Sequence, residues 1–419
     1  MPHNISTMPV PLTGSLDDFE VSRNGFLPEK LPIQRLSDQY YESWELILDH
    51  LPTLLVSASL REEVDRLPIL STSRLISQRE WQRAYLVLSF LTHSYIWEAG
   101  GPSERLPPSI SIPFLQVSTH LGLPPTATYA ALNLWNYTSL SPSASLYNVD
   151  DLRVLHTFTG TRDEEWFYLI SVAIESHGAS IIPIMLNAMD AVNSNSPEVI
   201  MLALLKFSQC IREIGEILKR MDEQCSPDVF YNRIRPFLAG SKNMGLAGLP
   251  KGVFYDEGNG KGDWRQYSGG SNAQSSLIQF FDVALGVEHS LTGAKKGSKP
   301  GFLQEMRNYM PSPHRKFLKH VECISNIREY ADTTTDTEVT NAYNCAVKEL
   351  SRFRDIHIQI VTRYIINPSR KQGPMKNAGM NLAVASTNCT TKGLHGTGGT
   401  ELLPFLKQSR DETKQTALQ

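Results

Sequence analysis

His357 is the residue of this sequence best placed to do chemistry. It lies in the stretch NAYNCAVKELSRFRDIHIQIVTRYII, residues 341–366, among Val347, Leu350, Phe353, Ile360, Val361 and Tyr364. These residues recur at three- and four-residue steps, so an α-helix turns them, and His357 with them, to one face. Arg354 precedes His357 by almost a full turn and falls on nearly the same side. An imidazole there can bind a metal through one nitrogen, while the guanidinium meets an anion at the edge of the same group. A haem presents both, an iron and its propionates. Spacing by itself leaves a plainer alternative open, a histidine packed in a helical core.

The rest of the chain must position that helix. Residues 1–36 are rich in Pro, Ser and Asn without sustained period and read as an extended arm. Residues 40–51 are amphipathic, with Pro52 expected to end the helix. The capping box S-x-x-E at Ser77 and Glu80 opens a helix that runs to the Gly100-Gly101-Pro102 stop. Prolines at 107, 108, 113, 124 and 125 predict a broken connector around a short helix over 114–121, and 126–137 returns to helical spacing. Residues 143–162 carry few helical cues and mark a domain boundary. Helices are predicted over 164–176, closed by Gly178, over 183–192, and from Ser196-Pro197 through Ile200, Leu204, Phe207, Ile211, Ile214, Leu218 and Met221. That last helix reads as a core helix in preference to a dimerising coiled coil, because charges do not frame its apolar seam. Residues 241–271 predict a long glycine-rich loop, with neither GNGKGDW nor SGGS matching a phosphate loop. Further helices are expected over 275–287 and 302–321, the latter interrupted at 310–313. The expected helix end at Pro368 leads into a polar loop, 367–399, before a last turn over 402–408. The fold class is mainly α.

The chain has 419 residues, enough for two or three domains and a large core. Forty basic residues against 43 acidic ones give a net charge of −3, which recommends a small-molecule partner and no nucleic acid. The five cysteines, Cys210, Cys225, Cys323, Cys345 and Cys389, are scattered with no metal or redox spacing and read as reduced thiols. No apolar segment is expected to approach the roughly 18 residues that span a bilayer, and the N-terminus lacks a leader pattern. The expectation is a cytoplasmic monomer with no membrane partner.

Several separated stretches together resemble the indoleamine 2,3-dioxygenases: LPPSISIP and GLPPTATYA, FLAG after F-x-x-x-x-R, YSGGSNAQSS followed by FDVALG, MRNYMPSPHRKFL, HIQIVTRYI, and GTGGTELLPFL. The resemblance runs from about residue 40 to 410, and the joint order of these stretches is far more specific than any one of them. It implies a haem b enzyme with a small helical domain over 37–150 and a large haem-binding one over 151–419 that includes a mobile loop, 367–399. His357 would be the proximal iron ligand and Arg354 a propionate contact. Tyr129, Phe167 and Phe230 would line a flat slot for indole, with Arg235 holding the carboxylate. Ser171 would be the distal hydroxyl, and Gly270, Ser271 and Asn272 a loop passing over the haem. Thr397 would close over the substrate. Phe230 and Arg235 are five residues apart, so a regular helix would turn them about 140° from each other; a bend near Pro236 is required if both face one ligand. No histidine is expected on the distal face, unlike the related tryptophan 2,3-dioxygenases. This chain departs from the better-known members at Asn272, where they carry Ala, and at Leu132, where some carry Cys.

The implied reaction adds both atoms of O2 across the C2–C3 bond of the indole of L-tryptophan, or a related indoleamine, to give N-formylkynurenine. This opens the kynurenine pathway of tryptophan catabolism and NAD biosynthesis, and an electron donor would keep the iron ferrous. The alternative within the same fold is a non-catalytic haem or O2-binding protein; a helical scaffold with His357 in its core stands outside it.

Overall fold

The computed structural model describes residues 15–141, 144–289, 301–371 and 402–419, and the fold is mainly α-helical. Two long helices, Pro197–Lys219 and Thr337–Val361, pack along each other as its spine. They approach closely because Gly215 lacks a side chain: a Cβ there would lie 3.1 Å from the Ile356 Cδ1. Arg162–His177 and Ile181–Asn193 lie against the first of these. The short turn Gly178–Ser180 joins them, and Gly178 admits Leu277, whose Cδ2 lies only 2.4 Å from where a Cβ would stand.

Towards the N-terminus the helix Gln78–Trp97 starts as its capping box requires, with the Ser77 Oγ accepting from the Glu80 N–H at 3.3 Å and the Glu80 carboxylate accepting from the Ser77 N–H at 2.8 Å. From Arg83 to Ile96 it is buried on every side, which is why its sequence is apolar well beyond one stripe. One hydrophobic cluster extends from Val21 to Tyr364, and a small second one joins Val361, Ile366 and Leu402. The run Arg162–Asn193 contains an 18-residue window of mean hydropathy 1.6, long and apolar enough by composition to cross a membrane, contrary to the reading of the sequence; 72% of that window is buried inside the fold. Its apolarity is that of core helices packed on both sides.

Several boundaries differ from expectation for identifiable reasons. Pro52 does not end a helix but opens the next one, Leu51–Val56, where its missing N–H is harmless. Pro108 likewise starts Pro108–Leu121, longer than predicted, and Pro113 is tolerated inside it. Residues 126–137 hold a π-turn, Ala130–Leu134, and end in the strand Tyr137–Ser139, which pairs antiparallel with Leu152–Val154. The glycine-rich stretch contains a hairpin: Val253–Gly258 pairs antiparallel with Lys261–Arg265, and Arg105–Leu106 adds in parallel on the other side. Its turn is the GNG read as loop, with Gly258, Asn259 and Gly260 all at positive φ, the conformation such hairpin turns require. The His357 helix does not stop at Pro368. It passes through a π-turn, Thr362–Ile366, and continues over Asn367–Lys371, because the wider turn spares the proline a hydrogen bond it cannot make. The C-terminal helix Leu402–Gln415 is twice the expected length and packs on the His357 helix.

Candidate functional site

The helix Thr337–Val361 presents His357 to a mostly apolar cavity. Burial, reinforced by the charge of Arg354, lowers the imidazole pKa to about 4. His357 is therefore neutral at physiological pH and makes no hydrogen bond with the described residues, so a nitrogen lone pair is available on the cavity wall. Among the described residues no group of three or more His, Cys, Asp or Glu could cage a bare ion. A single neutral histidine beside a wide apolar cavity fits a metal carried in a macrocycle, and so fits haem iron.

Arg354 stands at the same cavity, one turn earlier. Its Nη2 donates to both carboxylate oxygens of Asp282, at 2.7 and 2.8 Å, and its Nη1 to the Thr413 hydroxyl. Three of a guanidinium's five N–H bonds are thus used among the described residues, leaving capacity for an anion in the cavity. Burial would raise the Asp282 pKa, but the charges of Arg354 and His289 outweigh it and hold the carboxylate below its usual range. His289 bridges Asp282 at 3.1 Å and Glu412 at 2.9 Å, tying the C-terminal helix to the same cluster.

A second part of the wall is built on Arg162–His177. Phe167 and Ser171 are four residues apart and both line the cavity. The Phe167 ring lies 4.9 Å from Phe230, which in turn lies 5.7 Å from Tyr364, just beyond the His357 helix. Phe230 and Arg235 reach one cavity because the π-turn Phe230–Ile234 lies between them. A turn closed five residues on brings residues five apart close to one face, so the bend precedes Pro236. Arg235 is 3% exposed, with its guanidinium 5.7 Å from the Tyr231 ring centroid, and burial lowers its pKa to about 10. It remains a cation at neutral pH.

Tyr129 lines the cavity with its hydroxyl donating to Glu175 at 3.0 Å, while its backbone N–H donates to the Gln274 side chain at 2.8 Å. Glu175 also accepts from Ser275 at 2.6 Å; burial raises its pKa to about 7, against the pull of those two hydroxyls. Gly270, Ser271 and Asn272 form part of the wall. The space at Gly270 is used by Leu132, whose Cδ1 would lie 2.6 Å from an added Cβ. The Ser271 hydroxyl accepts from the Ala273 N–H at 3.3 Å and caps a short turn, and Asn272 is exposed. Thr397 and most of the predicted loop 367–399 lie outside the described residues. Every other predicted site residue lines this one cavity.

Sequence reasoning missed Glu175, Asn133, Asp282 and the inner face of the C-terminal helix, where Phe405 meets Phe302 at 4.8 Å. Glu175 had a signal, an acid four residues after Ser171 inside an apolar helix. Asp282 had another, the lone charge in SLIQFFDVAL.

A family described as indoleamine 2,3-dioxygenase matches residues 15–416. Indoleamine 2,3-dioxygenase nanC of Aspergillus nanangensis is 43% identical, over 96% of this chain and 97% of its own. Indoleamine 2,3-dioxygenase of Saccharomyces cerevisiae is 40% identical, over 99% and 96%. 6-Hydroxytryptophan 2,3-dioxygenase fscD of Fusarium equiseti is 40% identical, over 97% and 98%.

Proposed function

The chain belongs to the indoleamine 2,3-dioxygenase family, an oxidoreductase family of dioxygenases, and from that premise we propose that it cleaves the indole C2–C3 bond of L-tryptophan with O2 to give N-formylkynurenine. One relative is named for 6-hydroxytryptophan, so ring-substituted tryptophans fall within the substrate class considered. The observation that carries the reading is convergence: predicted site residues from five separate parts of the chain meet at one cavity, with a neutral His357 and a buried, cationic Arg235 among them.

Haem b, when bound, supplies the iron at which O2 is activated. His357 would hold that iron through its free nitrogen, and Arg354, fixed by Asp282 and Thr413, would meet a propionate. Phe167, Phe230 and Tyr129 offer apolar faces to the indole. Burying roughly 150 to 200 Å² of an aromatic ring contributes about 4 to 5 kcal/mol before ordering costs. Arg235 takes the carboxylate, a charge-assisted contact of roughly 1.5 to 3 kcal/mol that also decides which ring edge faces the iron. Ser171 supplies a hydroxyl on the cavity wall. The protein's contribution is positioning and exclusion of water, with no net external electrons per turnover beyond the reductant that first brings iron to the ferrous state. Tryptophan catabolism and NAD supply are the roles that fit such an activity, carried out by a cytoplasmic monomer of small and large helical domains.

The test is reconstitution of the full chain with haem, reduction, and addition of L-tryptophan in air. Growth of the N-formylkynurenine absorbance supports the proposal. A Soret band without product at saturating tryptophan refutes it in favour of haem or O2 binding.

A further inference from the structure

Behind the cavity wall stands a carboxylate that the fold alone does not call for. Glu175 is 0% exposed, one turn beyond Ser171 on the helix Arg162–His177, and forms no ion pair among the described residues. Its Oε1 accepts from the Tyr129 hydroxyl at 3.0 Å and from the Ser275 hydroxyl at 2.6 Å, while its Oε2 has no hydrogen-bond partner among the described residues. A buried charge without a counter-charge is costly, and a neutral amide would accept the same two bonds.

Glu175 does not line the cavity, but both of its donors do. Tyr129 stands at the start of the π-turn Ala130–Leu134, and Ser275 caps the helix Ser276–Leu285 by accepting from the Ile278 N–H at 3.2 Å. The segment that ends at Ser275 also holds the Tyr129 backbone, whose N–H donates to the Gln274 side chain; the Gln274 Nε2 donates in turn to the Gly269 carbonyl at 2.8 Å. One carboxylate therefore clasps three parts of the wall: the helix that carries Phe167 and Ser171, the Tyr129 ring, and the end of the segment that carries Gly270.

Resting on the tryptophan-type reaction proposed above, we propose that Glu175 is a positioning residue for the substrate, its carboxylate fixing the Tyr129 ring in the wall against which the indole packs. A ring already fixed lowers the ordering cost of binding. Hydrogen bonds to a carboxylate are stronger than those to a neutral acid. Burial raises the Glu175 pKa to about 7, against the pull of the two hydroxyls, so the charged form that holds Tyr129 best is complete above that pH and is lost below it. The titratable group that faces Glu175 is Tyr129 itself, which burial and the nearby carboxylate hold well above the usual phenol range and so neutral throughout.

The test uses the full chain reconstituted with haem and reads the affinity for L-tryptophan, from the change in haem absorption on titration, between about pH 5.5 and about pH 8.5. The wild type is expected to bind on the order of fivefold more tightly at the upper end than at the lower. Glu175→Gln keeps a neutral acceptor in place, so it should match the wild type at the acid end and gain nothing as pH rises. Tyr129→Phe keeps the ring and removes the hydroxyl, and should gain nothing either. A wild-type affinity that stays constant across this range overturns the inference, whatever the variants do. A gain that survives in either variant belongs to another group and overturns it as well. Product formation is followed separately: binding without product refutes the proposed reaction alone, whereas no binding at any pH refutes both.

Discussion

Replacing Arg235 by alanine tests the carboxylate contact proposed for it. The guanidinium is buried at 3% exposure and is still charged at neutral pH, since burial lowers its pKa only to about 10. A carboxylate bound to it gains a charge-assisted contact of roughly 1.5 to 3 kcal/mol, so Arg235→Ala should raise KM for L-tryptophan by roughly 10- to 150-fold. Tryptamine supplies the control because it keeps the indole and the amine but lacks the carboxylate. Steady-state kinetics on both proteins with both compounds closes a double-mutant cycle. The large loss should appear with tryptophan and be nearly absent with tryptamine, while the Soret band of the reconstituted variant stays intact. If KM rises equally for the two compounds, Arg235 supports the wall of the cavity and does not hold the carboxylate.

Three further outcomes follow from the same geometry. Asp282→Ala leaves the half-buried Arg354 without its carboxylate, so urea unfolding of the apoprotein should show a loss of about 1.5 to 3 kcal/mol; a loss under about 1 kcal/mol, as for a surface pair, would show that the pair is not structural. The His289 pKa is raised: burial lowers it, but the Asp282 charge more than compensates. Its contribution is therefore complete below the unfolded value of about 6.5 and is lost as pH rises through the higher folded value, so His289→Gln should lower Tm at acidic pH and converge with the wild type at alkaline pH; a constant gap across pH refutes the bridge. Gly270→Ala pushes a methyl group towards Leu132, 2.6 Å from its Cδ1, and should cost roughly 1 to 3 kcal/mol. In a Leu132→Ala background, itself destabilised by the lost packing, the same Gly270→Ala substitution should cost far less, and additive losses would mean the two residues do not interlock.

How far the sequence carries the account depends on the range of the forces involved. The His357 stripe is legible because its periodicity is set within one helix, and the capping box at Ser77 is legible because both its hydrogen bonds are local. Phe230 and Arg235 are half-legible: their separation demands a departure from the α-helix, but a π-turn has no compositional signature and shows itself only once the chain is folded. The hairpin at Val253–Arg265 had its GNG turn in view, yet VFYDEG is too short and too polar to announce a strand without its partner. Glu175 and Asp282 are opaque for another reason. Their burial depends on Tyr129, Ser275, Arg354 and His289, most of them far away in sequence, and composition cannot foretell which distant donor will meet a buried acid. The C-terminal helix was underread because it is mostly polar, with Leu402, Phe405 and Leu406 turned towards the cavity at its start.

His357 is the residue proposed to hold the haem, and the most direct measurement is the absorption spectrum of haem-reconstituted wild type and His357→Gly, before and after addition of imidazole. The wild type should show a Soret band, and the variant should lose it and regain it with imidazole, because the cavity left by the side chain admits the free base. A Soret band in His357→Gly that matches the wild type without imidazole would contradict the account, since the iron would then be held by some other residue.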